Sequence, residues 1–332
     1  MKNFWADLSR PFFALAPLAD VTDAAFRRII AKYSKPHGPQ VMYTEFVSAD
    51  GLALAPEEGR AKLMRDLVYS EAERPIVAQF FTSKPKHMEM AAALAAELRF
   101  DGVDINMGCP AGPVLNQGAG AELIKNPTLA QELIHAAKQG APNLPVSVKT
   151  RLGYNTDTLD EWLPKILEAQ PVAVTVHART RKEMSKVPAR WEGVKRAVEI
   201  RNELRSEALI LGNGDLQDVA DAKEKIKMSG ADGAMLGRAI FGRPWLFAAE
   251  GTPEKTLEEK LSIAVEHTKL FEELLGDLKS FAIMKKHFKA YVEGFDGARE
   301  LRAKLMEAHD AAGVEQIIEE FIHASGQLGH SA

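Results

Sequence analysis

Short apolar segments alternate with longer stretches of helical periodicity along the first three quarters of the chain. Eight such segments are rich in strand-forming residues and end in polar residues, glycine or proline. They span residues 12–17, 41–46, 76–81, 102–108, 145–152, 173–180, 208–215 and 233–240. Because successive segments begin 25 to 43 residues apart, each interval has room for a helix and two loops.

This alternation predicts an α/β fold in which eight parallel strands with helical crossovers close into a (β/α)8 TIM barrel. A doubly wound open sheet is the alternative. That fold is expected to carry a glycine-rich phosphate loop after its first strand, whereas residues 16–20 read Ala-Pro-Leu-Ala-Asp. The barrel is therefore the preferred prediction.

The strand signals stop after residue 247, and a Gly-Thr-Pro break at 251–253 predicts a linker. We expect a barrel domain at 1–250 and a small all-helical C-terminal domain at 251–332. Thr256 and Glu259 have the spacing of a capping box, and Gly276 is a candidate stop for the helix that they begin. Further helices are predicted at 280–293, 297–311 and 314–323.

Composition narrows the class of protein. The 332 residues are 46% hydrophobic and 27% charged, which is typical of a globular protein and argues against disorder or a disulfide scaffold. The net charge of −4 excludes a uniformly basic nucleic-acid binder but leaves local patches open. With no secretory leader pattern and no long apolar run, we expect a cytoplasmic protein that makes no membrane contact. The single cysteine, Cys109, permits no internal disulfide, and we expect no metal site.

Reactive side chains recur at the carboxyl ends of the predicted strands, which is where TIM barrels carry their chemistry. Segments two to six end with Thr44 and Glu45, Gln79, Asn106 and Cys109, Lys149 and Arg151, and His177 and Arg179. Cations buried in a barrel mouth require anionic or polar partners, so the pattern predicts a bound ligand.

The last two strand ends favour a phosphate site. Gly212, Gly214, Gly237 and Arg238 follow adjacent strands, and glycine allows backbone N–H groups to approach an anion closely. Lys149 either stabilises an anionic ring, such as a reduced flavin, or forms a Schiff base. The residues alone leave both roles open.

Taken in order, these motifs resemble the flavin-dependent dihydrouridine synthases. The matching segments are 16–23, 43–45, 104–110, 118–121, 148–151, 177–181, 212–215 and 230–238, with 286–287 and 298–302 in the tail. The resemblance covers nearly the whole chain, and it is the ordered set of motifs that makes it specific.

The resemblance implies an enzyme that reduces the C5–C6 double bond of a uridine in RNA, either tRNA or rRNA, by means of FMN reduced by NADPH. It implies Cys109 as the acid that protonates C5, and a thiol is largely protonated at neutral pH. The positions that match flavin-binding residues are Pro17, Gln79, Lys149, His177, Asn213, Gly214, Gly237 and Arg238. Asn106 and Arg179 are the candidates for holding the uracil edge, whereas Glu45 either orients a neighbour or is a plain structural carboxylate. We expect a monomer.

Two segments have the charge for RNA binding. Residues 179–195 hold six Lys or Arg against two Glu, and residues 279–304 hold seven against three acids, so each carries a net charge of +4. A target uridine in folded RNA must be flipped into the pocket. The resemblance implies that the helical domain grips the surrounding RNA.

The chain departs from the family pattern in one segment near the expected substrate mouth. Ala178, Glu183, Ser185, Val187 and Arg190 stand where the family usually has other residues. These differences bear on which uridine is accepted rather than on the flavin chemistry.

Two other functions compete with this interpretation. One is an FMN barrel that acts on a free pyrimidine or another small molecule, and the other is a catalytically inactive RNA-binding relative. The basic helical tail argues against the first, and the presence of Cys109, Lys149 and His177 argues against the second.

Overall fold

Eight parallel strands form one closed sheet in the computed structural model, which describes residues 3–328. The strands are β1 Phe12–Leu15, β2 Met42–Ser48, β3 Ile76–Phe81, β4 Gly102–Asn106, β5 Val146–Arg151, β6 Ala173–His177, β7 Leu209–Asn213 and β8 Gly233–Leu236. Their order is β1-β8-β7-β6-β5-β4-β3-β2. The two ends of the sheet meet where Ala14 pairs with Val41 and the Leu15 amide donates to the Val41 carbonyl over 2.9 Å. The TIM-barrel prediction is confirmed, and the open-sheet alternative is wrong.

Helices cover the outside of this barrel. They are α1 Ala24–Ser34, α2 Ala49–Leu54, α3 Glu57–Asp66, α4 Pro85–Glu97, α5 Gly112–Leu115, α6 Pro127–Gly140, α7 Leu159–Glu168, α8 Trp191–Glu203 and α9 Val219–Ser229. Short 3₁₀ turns lie at Phe4–Asp7, Glu71–Glu73, Gly120–Lys125 and Arg238–Ile240. Side-chain caps start several of the helices: Asp23 accepts from the Phe26 amide at α1, and Asp218 accepts from the Asp221 amide at α9.

The C-terminal part of the chain is helical, as predicted. It contains α10 Leu257–Leu275, a 3₁₀ turn at Phe281–Ile283, α11 Met284–Tyr291, α12 Ala298–Glu307 and α13 Ala311–Leu328. The capping box is confirmed, since the Glu259 amide donates to Thr256 Oγ1 over 3.2 Å and the Thr256 amide donates to Glu259 Oε2 over 2.8 Å. The predicted stop is also confirmed, since α10 ends at Leu275 and Gly276 follows it directly, with a right-handed φ of −56°.

The predicted boundaries of the last two helices were wrong by a few residues. Extended backbone at Ala308 ends α12 earlier than expected, and α13 begins at Ala311, before the predicted start at 314. Residues 1–2 and 329–332, which the predicted domains include, lie outside the described residues.

The helical part packs directly against α1 of the barrel. Lys32 Nζ and Tyr33 Oη both contact the Glu266 carboxylate of α10, each at 2.6 Å. The Phe26 ring stacks on His267 with centroids 4.8 Å apart. The two parts thus share one continuous apolar core, and the boundary at 250/251 stays a prediction.

A fully buried ion pair joins α1 to the short turn before β3. Arg27 Nε lies 2.7 Å from Glu73 Oε2, and both side chains are completely buried. The remaining Arg27 nitrogens donate to the carbonyls of Thr22 and Val68. Each of the three guanidinium nitrogens therefore has a partner, which offsets part of the desolvation of the charges.

Within residues 3–328, none of the helices combines the length and the apolar character that a membrane crossing requires. The same residues contain no group of three or more His, Cys, Asp or Glu side chains placed to hold a metal ion.

Candidate active site

A cavity of about 960 Å³ opens at the carboxyl ends of the strands. Of the eleven residues that the sequence singled out as catalytic, cofactor-binding or substrate-binding, ten line this cavity: Pro17, Asn106, Cys109, Lys149, His177, Arg179, Asn213, Gly214, Gly237 and Arg238. The eleventh, Gln79, does not. The structure therefore brings the predicted residues together, while their individual roles stay predictions.

The loop that carries Cys109 is held by the last residue of β4. Asn106 Oδ1 accepts from the Gly108 amide over 3.1 Å and from the Cys109 amide over 2.8 Å. The Ala121 amide donates to the Cys109 carbonyl over 3.0 Å. Gly120, at a left-handed φ of +62°, packs so closely that a Cβ there would lie 2.7 Å from the same carbonyl oxygen. These contacts fix the position of the thiol at the cavity wall.

Gln79 belongs to a buried chain of hydrogen bonds behind the wall. Its Nε2 donates to Asp104 Oδ2 over 2.6 Å, and its Oε1 accepts from Asn106 Nδ2 over 2.9 Å. Ser147 donates to the other Asp104 oxygen over 2.6 Å. Gln79 is 0% exposed, so the structure places it where it orients Asn106 rather than at the cavity surface. Burial raises the pKa of Asp104 to about 6.

Two cations near the end of β5, Lys149 and Arg151, give the cavity its positive character, and the uncharged imidazole of His177 lies beside them at the end of β6. Lys149 is half-buried, and its ammonium has no hydrogen-bond or ion-pair partner among the described residues. Burial lowers the pKa of Lys149 to about 8, and the neighbouring Arg151 charge acts in the same direction. Arg151 donates to the Gly108 carbonyl over 2.7 Å, and burial lowers its pKa to about 10. Burial and the neighbouring cations hold the pKa of His177 well below its usual value, so this imidazole is neutral.

The neutral His177 has a defined tautomer. Arg179 Nη1 lies 3.2 Å from His177 Nε2, and a guanidinium only donates, so the ring proton is assigned to Nδ1. Arg179 itself is buried, with Nε donating to the Val187 carbonyl over 2.6 Å and Nη2 paired with Asp215. Its guanidinium thus holds the β6 and β7 ends together.

The thiol stays protonated in this environment. Burial raises the pKa of Cys109 above its usual value, and the Arg151 and Lys149 charges offset this only in part. A protonated thiol is a proton donor, and the same two cations stabilise the thiolate left after the proton has moved. The arrangement is suited to general acid chemistry.

The ends of β7 and β8 form a cradle of glycines and cations. Gly214 has a φ of +126°, followed by Asp215 at +50°, which turns the backbone sharply at the mouth. Arg238 is 64% exposed and donates through Nη2 to Asp215 Oδ1 over 2.6 Å. Asn213, in contrast, uses its side-chain amide on the Met235 carbonyl. Sequence reasoning missed Asp215 as the link between Arg179 and Arg238, although it closes the Gly-Asn-Gly-Asp motif.

Two of the departures from the family pattern are partners of each other. Glu183 pairs with Arg190, and the Arg190 guanidinium holds the pKa of Glu183 at about 2. Glu183 also accepts from the Thr180 amide over 2.7 Å. This pair closes the loop that carries Met184 and Ser185 to the cavity rim.

The basic segments are less exposed than their sequences suggest. Arg179 is buried, and Lys279 points inward to Glu45 and Asp66. Lys285 and Lys289, one turn apart on α11, have no partner among the described residues. Helix α11 lies near the mouth, because its His287 ring is 5.6 Å from Phe241 of the cavity wall.

Comparison with known proteins adds independent findings. The family model described as dihydrouridine synthase matches residues 14–325. A probable tRNA-dihydrouridine synthase of Staphylococcus aureus (strain MRSA252) is 39% identical over 322 residues, which are 96% of each chain. The probable tRNA-dihydrouridine synthase 2 of Bacillus subtilis (strain 168) is 38% identical over 96% of this chain and 97% of its own.

Among solved structures, histamine dehydrogenase from Rhizobium sp. 4-9 superposes with a TM-score of 0.51 at 14% identity. The match covers 70% of this chain and 44% of that one. At this identity the likeness concerns the fold alone.

Proposed function

The chain belongs to the dihydrouridine synthase family, and from this membership we propose that it reduces the C5–C6 double bond of specific uridines in tRNA to 5,6-dihydrouridine. We propose FMN as the cofactor and NADPH as its reductant. The observation that carries the chemistry is a protonated thiol, Cys109, set in the same cavity as the unpartnered ammonium of Lys149.

The residues present fit a flavin mononucleotide. The glycine cradle with Arg238 offers backbone N–H groups and a guanidinium to a phosphate, and the Lys149 ammonium is free to bind negative charge on a ring. His177 retains an Nδ1–H that can donate to a carbonyl or ring nitrogen. Pro17 would supply backbone at the ring edge. A bound flavin supplies the hydride that C6 receives.

The protein's own part of the reaction is proton transfer and orientation. Cys109 gives its Sγ proton to C5, and the resulting thiolate is stabilised by Arg151 and Lys149 until solvent returns the proton. Asn106 and Arg179 are proposed to hold the uracil edge, because each keeps N–H groups beyond those already engaged within the protein. Gln79 acts through Asn106.

We assign RNA binding to the helical segment 251–332. Exposed Lys289 and half-buried Lys285 lie on one face of α11, and Arg299 and Lys304 are exposed on α12. None of these four side chains has an ion-pair partner among the described residues. We propose that a monomer binds tRNA in the cytoplasm and that the bound RNA presents one flipped uridine to the cavity. The small-molecule alternative is not favoured, since the family match runs through the helical segment to residue 325.

The test is nucleoside mass spectrometry. The purified protein, FMN and NADPH are incubated anaerobically with unmodified bulk tRNA or with rRNA, alongside Cys109→Ala. We expect new dihydrouridine in tRNA from the wild type, whereas Cys109→Ala keeps FMN and tRNA affinity but loses most of the product. Replacing NADPH by NADH measures the choice of reductant.

Two results would contradict the proposal at different points. No dihydrouridine in either RNA from a wild-type protein that holds FMN would reject the function. Normal turnover by Cys109→Ala would remove Cys109 from the mechanism while leaving the reaction in place.

A further inference from the structure

Glu45, at the carboxyl half of β2, does not line the cavity, yet its carboxylate connects two distant parts of the chain. Its Oε1 accepts from the Asp20 amide over 2.5 Å, and its Oε2 accepts from Lys279 Nζ over 2.6 Å. Asp20 follows β1 in the barrel, whereas Lys279 lies between α10 and α11 in the helical segment. Both Glu45 and Lys279 are largely buried, at 6% and 16% side-chain exposure.

The Asp20 end of this bridge is part of the cavity wall. Residues 17–19, immediately before it, line the cavity beside Gly237. Asp20 has a left-handed φ of +52°, which a non-glycine residue adopts only when its surroundings stabilise it. The loop has its own hydrogen bonds at Leu18 and Val21, but the Asp20 amide depends on Glu45.

At the other end of the bridge, Lys279 connects the helical segment to the barrel through two carboxylates. Its ammonium contacts Asp66 Oδ1 at 2.8 Å as well as Glu45. Burial raises the pKa of Glu45 to about 7, and Lys279 is the largest influence that favours its charged form. Without that ammonium, the carboxylate would be left in a site that penalises its charge.

We propose that Glu45 is a positioning residue: held by Lys279 of the helical segment, its carboxylate anchors the Asp20 amide and thereby sets the cavity wall at residues 17–20. The shape of the cavity then depends on the helical segment being docked. The link to FMN and uridine rests on the proposed function, whereas the link from Lys279 to Asp20 does not.

Hydrogen exchange at the Asp20 amide tests the link directly. The wild type is compared with Lys279→Met, Glu45→Gln and the double variant that carries both changes. Lys279→Met leaves the buried Glu45 carboxylate without its cation. Glu45→Gln leaves the Lys279 ammonium facing an uncharged amide at position 45. We expect exchange at Asp20 to be about tenfold faster in each, which matches the loss of one charge-assisted hydrogen bond.

The double variant supplies a rescue that a general loss of stability would not show. Glutamine beside methionine keeps an oxygen for the Asp20 amide and removes the unpaired charge, so we expect exchange to return towards the wild-type rate. Lys32→Met is the matched control. It removes another lysine–glutamate pair between the barrel and the helical segment, Lys32 with Glu266 at 2.6 Å, and we expect the Asp20 rate to stay within about twofold of wild type.

Single variants with unchanged Asp20 exchange would overturn the proposal, as would equal acceleration in Lys32→Met or no recovery in the double variant. FMN titration adds the functional arm, with about tenfold weaker binding expected for Lys279→Met and no change for Lys32→Met. Unchanged FMN affinity despite faster Asp20 exchange would overturn the role in positioning the cavity wall. Absence of dihydrouridine from the wild type would reject the proposed function alone, since Asp20 exchange needs no substrate.

Discussion

Replacing Asn106 by alanine removes the side chain that holds Cys109 in place. The change takes away the acceptor of the Gly108 amide at 3.1 Å and of the Cys109 amide at 2.8 Å. It also leaves Gln79 Oε1 without its donor at 2.9 Å. The thiol itself remains, so alkylation of Cys109 without substrate reports its position separately from the uracil contact that is also proposed for Asn106.

The magnitude follows from the number of groups left unpaired. A buried polar group without a partner costs about 1–3 kcal/mol, and the Cys109 amide is only partly buried, so about 3 kcal/mol in total is a reasonable figure for the loop. At about 1.4 kcal/mol per tenfold change in an equilibrium constant, this lowers the population of the native loop conformation relative to displaced conformations by about 100-fold. A displacement of the acid by about 1 Å is enough for a rate loss of that size.

Single-turnover formation of dihydrouridine at saturating tRNA measures the effect. We expect Asn106→Ala to be about 100-fold slower than wild type, with FMN affinity changed less than about threefold. Alkylation of Cys109 by iodoacetamide gives a second readout that needs no substrate, and we expect it to be faster because the loop is released.

Asn116→Ala is the matched control, since Asn116 is exposed in the same region and its side chain makes no hydrogen bond within the described residues. The reasoning is refuted if Asn106→Ala turns over and reacts with iodoacetamide at the rates of the control.

Three further outcomes are expected. FMN affinity falls several-fold as pH rises through about 8, because Lys149 loses the proton that favours an anionic ligand, and the profile in a titration of Lys149→Met is flat. In filter binding, alanine at both Lys285 and Lys289 weakens tRNA affinity and reduces the salt slope by about 1.5, whereas an unchanged slope would place the RNA elsewhere. Glu73→Gln leaves the fully buried Arg27 guanidinium without its carboxylate, and we expect the free energy of unfolding in a urea titration to fall by about 3–5 kcal/mol. A loss below about 1 kcal/mol would contradict the stabilising role of this ion pair.

The sequence was sufficient to predict the barrel because each strand can be recognised from its own apolar and polar residues. Seven of the eight predicted segments contain a whole strand, β3 occupies the predicted residues 76–81, and β2 overlaps its segment but extends two residues beyond it, to Ser48. The errors are at helix ends. The helix predicted to end at 311 ends at Glu307 because the backbone is extended at Ala308, and α13 begins at Ala311 instead of 314.

Much of the candidate site also followed from the sequence, for a geometric reason. Parallel strands in a barrel end at one edge, so Cys109, Lys149 and His177 were expected to meet once each was placed after its strand. That reasoning places the backbone only. It does not say whether a side chain at a strand end enters the cavity or turns away, which is why Gln79 was expected at the surface and lies behind Asn106.

Only the tertiary structure decided which charges are partners. Lys279 was counted in a basic segment for RNA, and it is instead bound to Glu45, 234 residues earlier in the chain. Glu183 and Arg190 were noted as separate departures and form one pair. The order of apolar and polar residues determines the strands and the edge at which they end, because burial acts on each segment locally. The pairing of distant side chains depends on how the helical segment docks against the barrel, and the local pattern of apolar and polar residues does not predict that docking.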